Sequence, residues 1–218
     1  MREYPVAAAL TISFQRYPYP PYGWITTLPR SRGALPFTVT APGHLVLPCP
    51  SGEAFWIGLI AAPAGPSSRV SVVATLASGE QVDLATGTAP GADRHRVGWV
   101  VPPRFAVEGI AGEDGTWWAL ALDALATPAP SCAALELLVS TGPPIAAAPG
   151  GRVGPRPQHD LTGPTDQPSR LTGAEQPTGP PEAVHVELVD AAGFEAISGE
   201  RLPQPLDDDA TYGGWRLP

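Results

Sequence analysis

Along the first 141 residues, apolar and polar positions alternate in short runs, and Gly- or Pro-bearing turns separate the runs. Alternation with a period of two puts one set of side chains on each face of a strand. Residues 4–14 (YPVAAALTISF) alternate loosely and predict a first strand. PFTVTA, HLVLP and EAFWIGLIAA, within residues 36–62, predict three more. The APG and PCPSG stretches between them supply turn chemistry, because Pro presets φ and Gly accepts positive φ. Residues 55–60 are apolar without a break, as in a central strand covered on both faces. Gly58 inside that run predicts a bulge or a close backbone approach. RVSVVATL (69–76) and QVDL (81–84) read as a hairpin turning at Ser78 and Gly79. In its second arm Val82 and Leu84 point inward, and Gln81 and Asp83 point to water. RVGWVVP and RFAVEGI predict strands on either side of Pro102 and Pro103. GEDG (112–115) is a turn. TWWALALDAL (116–125) predicts a long strand with Trp117 and Trp118 on opposite faces, and ALELLVS (134–140) closes the series.

No 3.6-residue repeat competes over a long window. DALATPAPSCAALELL favours helix by composition, but Pro128 and Pro130 limit it to a turn. Many short strands at regular spacing with Gly/Pro turns predict an antiparallel β-sandwich, jelly-roll-like, over residues 1–141. A closed barrel is the alternative architecture.

The pattern stops at residue 142. Seventeen of the forty residues in 142–181 are Pro or Gly, too many for a packed helix or strand. Thr-Gly-Pro recurs three times across 141–180, and Gly does not fall at every third position, so the stretch is not collagen-like. Residues 142–182 are therefore read as an extended linker, with 183–218 as a C-terminal docking segment. In that segment AVHVELVD (183–190) predicts a strand, Asp190 a helix cap, AAGFEAIS a short helix and Gly199 its end. So short a piece cannot bury enough surface to fold alone. Its strand must add to another sheet, of this molecule or of a partner.

Charge sharpens the division. The net charge is −8, and residues 182–218 carry eight acids against two Arg, a net of −6. All thirteen basic residues are Arg, and the chain has neither Lys nor Asn. No Lys/Arg-rich stripe is present, which argues against nucleic acid and anionic membrane as partners. Nothing approaches an apolar run long enough to span a bilayer. The N-terminal apolar run is short and broken by Thr and Ser, without a small-x-small cleavage site, so secretion is not predicted. The expected location is cytoplasmic or within an intracellularly assembled particle. Cys49 and Cys132 are expected as two buried thiols, with a single disulfide as the other reading.

The candidate interaction residues are aromatic and acidic. In RYPYPPYGW, Tyr17, Tyr19, Tyr22 and Trp24 alternate with prolines that exclude ladder bonding. Their rings either pack over one end of the core or form a platform for a ligand or partner. Trp117 and Trp118 cannot both face one core, so one of them covers or exposes a second face. Asp207, Asp208 and Asp209, followed by Tyr212 and Trp215, form an acidic run with an aromatic end suited to docking.

Catalytic and metal chemistry find no foothold in the pattern. His44, His95, His159 and His185 have no second ligand at metal-binding spacing. No GxSxG or phosphate-cradling glycine motif occurs. The Asp run lacks the D-x-D-x-D-G spacing of a calcium loop. No cofactor is predicted, and the chain is read as non-enzymatic. The expected function is a structural or adaptor protein that docks in a larger assembly, through its β domain and its tethered C-terminal segment. The alternative is a carbohydrate- or ligand-binding module that uses exposed Trp and Tyr.

Overall fold

The computed structural model describes residues 2–7, 10–62, 65–91, 97–144 and 180–206. In chain order its strands are β1 (Glu3–Ala7), β2 (Leu10–Pro18), β3 (Trp24–Ile25), β4 (Thr38–Ala41), β5 (His44–Pro48), β6 (Glu53–Ala61), β7 (Pro66–Leu76), β8 (Gln81–Asp83), β9 (Trp99–Val101), β10 (Ala106–Val107), β11 (Ile110–Ala111), β12 (Trp117–Trp118), β13 (Cys132–Pro144) and β14 (Glu182–Val189). One α-helix, α1 (Ala191–Ser198), follows.

These strands form a mainly-β sandwich. A four-stranded sheet has the order β1-β2-β6-β10, and a seven-stranded sheet has the order β4-β5-β14-β13-β7-β8, with β9 also on β7. A small third sheet has the order β11-β12-β3. The inward residues of the two large sheets make one core. Ile12, Phe14, Phe55 and Ile57 come from the first, and Leu45, Leu47, Val70, Val72, Leu135, Leu137, Val184 and Val186 from the second. Phe14 meets Phe37 and Phe55 edge to face, with ring centroids 6.1 and 5.9 Å apart. Each such buried side chain contributes roughly 1.5–3 kcal/mol of transfer free energy.

The strand predicted in the C-terminal segment adds to this chain's own sheet. β14 lies between β13, which it pairs antiparallel, and β5, which it pairs parallel. Val184, Val186 and Leu188 are buried, while His185 and Glu187 on the other face are exposed. The parallel contact belongs to the tail strand and adds to the antiparallel sandwich expected over residues 1–141. It arises because β14 enters the sheet beside a strand from early in the chain, with no hairpin to set its direction. The helix then forms as its local signals require. Asp190 Oδ1 accepts from the Gly193 N–H at 2.6 Å, and Gly199 ends the helix at φ +73°. Phe194 is fully buried, and α1 packs beside β5 and β14.

Several local readings are corrected. The single strand expected over 4–14 is a hairpin, and β2 runs on through Arg16 and Tyr17 to Pro18. Pro18 takes the last place in the ladder, where its missing N–H costs least. The long strand expected from Trp117 ends at Trp118. Beyond it, Ala119 N–H donates to Gly23 O, Leu120 O accepts from Phe55 N–H, and Ala121 O accepts from Cys132 N–H. Three different segments supply those partners, so no ladder forms. Asp83 is buried rather than solvated. The chain folds back over it, Gly87 N–H donating to its carbonyl and Ala85 N–H to its Oδ1 at 2.8 Å. The close approach expected at Gly58 is present, since a Cβ there would lie 2.5 Å from Ser13 Oγ on β2.

Candidate interaction surface

The small sheet brings together aromatics from two distant stretches. Pro20 O accepts from Gly23 N–H at 2.9 Å, turning the chain sharply into β3. Gly23 has φ +77°, and a Cβ there would lie 2.5 Å from the Ala129 Cβ, so both conformation and space call for glycine. The turn leaves Tyr22 72% exposed and Trp24 39% exposed, with rings stacked at 6.0 Å and 24°. Trp118 lies opposite Trp24 in the ladder, and Trp117 lies opposite Ile25. Both Trp117 and Trp118 are half-buried and pack against the core, so neither has a fully open face. The segment containing Ala126 and Ala129 packs against Gly23, and Leu125 just before it is 61% exposed. Tyr22, Trp24 and Leu125 are thus the exposed large apolar side chains of these two stretches.

The other predicted aromatics sit differently. Tyr17 belongs to the core, and burial holds its hydroxyl well above the usual tyrosine range. Tyr19 is half-buried with its hydroxyl enclosed beside Gly23. Of the four ring-bearing residues between 17 and 24, Tyr22 and Trp24 are exposed, Tyr19 is half-buried and Tyr17 is buried. The proline spacing could not separate them, because the register of β2 on β6 decides which rings turn inward. Asp207, Asp208, Asp209, Tyr212 and Trp215 lie outside the described residues.

Two side-chain groupings escaped the sequence reading. Arg16, nearly fully buried, donates from Nε and Nη2 to the two carboxylate oxygens of Glu53 at 2.7 and 2.5 Å. Its Nη1 donates to Pro203 O at 2.7 Å. One guanidinium thereby ties β2, β6 and the segment after α1 together. His44 and His185 stack with ring centroids 4.9 Å apart, on the adjoining parallel strands β5 and β14. Separations of 37 and 187 positions in the first grouping and 141 in the second leave no local signal for either. A second ion pair joins Arg104 to Glu108, whose carboxyl is raised by burial against the lowering effect of Arg104.

The thiols are poor nucleophiles. Both are free and buried, and burial pushes each up to about 12. Leu122 N–H donates to Cys49 Sγ at 3.3 Å, while Ala121 O accepts from Cys132 N–H at 2.8 Å. The two cysteines thus flank opposite sides of one peptide unit. Among the described residues no three His, Cys, Asp or Glu side chains converge to hold a metal ion. No described helix is long and apolar enough to cross a membrane. The arrangement can offer an exposed, stacked aromatic pair to a ligand or partner. In comparisons with known proteins, no family model, curated protein or solved structure matches this chain.

Proposed function

We propose that this protein is a non-enzymatic structural or adaptor component that docks in a larger protein assembly through its β domain. The observation that carries this reading is the stacked, exposed pair of Tyr22 and Trp24 beside the turn at Gly23. Large rings held in one orientation lose little conformational entropy on binding and desolvate much area, the usual makeup of an interface anchor. The C-terminal residues beyond Leu206 supply a second contact in this reading, with their acidic run and the rings of Tyr212 and Trp215.

A Tyr22→Ala/Trp24→Ala double variant tests it. The wild-type chain is expected to self-associate in sedimentation, or to recover a defined partner from its native host. The variant is expected to lose that complex while keeping its melting temperature. An unchanged complex removes the support. A stacked, uncharged ring pair also suits the flat face of a sugar, which favours a carbohydrate-binding module as the second reading. Quenching or a blue shift of Trp24 fluorescence on glycan titration, absent in Trp24→Ala, would favour the sugar over the protein partner.

A further inference from the structure

His44 and His185 lie on the outer face of the seven-stranded sheet, the face away from Leu45, Val184 and Val186. Both are exposed, and they are register partners across the parallel pair of β5 and β14. Backbone bonds fix that register. His185 N–H donates to Gly43 O at 2.7 Å, and Gly43 N–H donates to the Tyr4 hydroxyl at 3.1 Å. The two imidazoles are left side by side, with 4.9 Å between centroids and 22° between planes. Neither ring has a hydrogen-bond partner among the described residues. A neutral imidazole has one acceptor nitrogen, and imidazole is the commonest metal ligand among side chains.

We propose that this pair is a surface site for a divalent transition-metal ion, with His44 and His185 as its two protein ligands and water as the rest. Imidazole suits zinc, nickel and copper, whereas magnesium and calcium seek oxygen. Two nitrogens on one tetrahedral zinc ion stand about 3.4 Å apart. Rings already side by side reach that separation by side-chain rotation alone, because the two backbones are in register. Glu187 follows His185 on the same exposed face, and Glu136 stands opposite His185 on β13. Their negative charge favours a cation here. Since no three His, Cys, Asp or Glu side chains converge among the described residues, the ion keeps open, water-filled positions. Such a site exchanges its metal, unlike the closed four-ligand sites that build a fold. The bound ion ties β5 to β14 and stabilises the folded chain. The site does not depend on whether Tyr22 and Trp24 meet a partner.

Zinc titration of the full chain tests it, by calorimetry and by nitrogen-15 NMR of the imidazoles. Ring-nitrogen shifts are expected at both His44 and His185 with zinc, and at neither with magnesium. His44→Gln and His185→Gln, both at exposed positions, should keep the metal-free melting temperature. Each should weaken zinc at the pair at least roughly tenfold, the smallest loss usual even for a group that only supports a ligand. Zinc should raise the melting temperature of the wild type more than that of either variant. Affinity unchanged in either variant would overturn the proposal, since that histidine is then no ligand. So would ring shifts that appear only as protein concentration rises, since the ion then bridges two copies.

Discussion

Val139 on β13 and Glu182 on β14 face each other as register partners, although the whole of 142–181 lies between them. The Pro/Gly-rich stretch therefore leaves and re-enters the same sheet at neighbouring points. It connects two adjacent antiparallel strands, and lengthening such a connection costs only about 0.6 kcal/mol per doubling.

Excising residues 141–180 and joining Ser140 to Pro181 through Asn-Gly should accordingly leave the sandwich folded. Asn-Gly suits a tight hairpin between antiparallel strands in this register. The melting temperature is expected to stay within a few degrees, since the shorter loop offsets the lost end of β13. Loss of cooperative unfolding would show that the excised stretch contributes to the core.

Truncation at Pro181 should behave in the opposite way. It removes an interior strand, stripping hydrogen-bond partners from both β5 and β13 and exposing the core beside Val184, Val186 and Leu188. The single change Val186→Asp buries a carboxylate in the same place, at a cost that exceeds the total stability of many domains. Both proteins are expected to lack a cooperative thermal transition. A folded truncation product would mean that β5 and β13 can close on each other.

Glu53→Ala leaves the guanidinium of Arg16, 4% exposed, without its counter-charge. The expected loss is about 3 kcal/mol, at the lower end for broken buried pairs because Glu53 keeps some solvent contact. Urea denaturation measures it. Glu53→Gln, which retains one acceptor, should lose less.

The thiols predict a pH dependence. Burial raises Cys49 and Cys132 from 9.0 to about 12 in the folded chain. In the unfolded chain they ionise near the ordinary value, so above it the unfolded state holds fewer protons than the folded state. Their contribution to stability is complete below pH 9.0 and is lost as pH rises to about 12. The slope is about 1.4 kcal/mol per pH unit for each thiol. Tyr17, raised by burial, acts in the same direction. Urea midpoints should therefore fall between about pH 8 and about pH 10.5. Native protein should resist thiol alkylation at about pH 8 and react at both cysteines once unfolded. A flat midpoint would mean that the thiols are solvated.

Local rules carried much of the fold. The hairpin of β7 and β8 turns at Gly79 because a positive φ, here +86°, is cheap only for glycine. Helix α1 begins and ends where Asp190 and Gly199 place it. The alternation in β14 named its buried face before any partner was known. These features depend on backbone conformation and side-chain period, which a few neighbouring residues determine.

Of the candidate surface, Tyr22 and Trp24 were legible as aromatics on a turn. Their exposure, and the burial of Tyr17 only a few residues earlier, were not. Aromatic side chains look alike in sequence whether they anchor a core or an interface. The register of β2 on β6 turns Tyr17 inward, and the turn at Gly23 turns Tyr22 out.

The sequence by itself determined a strand-rich chain with a Pro/Gly-rich interruption, a capped helix and an acidic, aromatic end. Only the tertiary structure decided that the strand after the interruption lies inside the seven-stranded sheet, that Asp83 is enclosed, that His44 stacks on His185 and that Arg16 holds Glu53 and Pro203. The reason is physical. Turns, caps and alternation are set within a few residues, whereas the choice of strand partner is settled by competition among distant segments for the same hydrogen bonds and the same core.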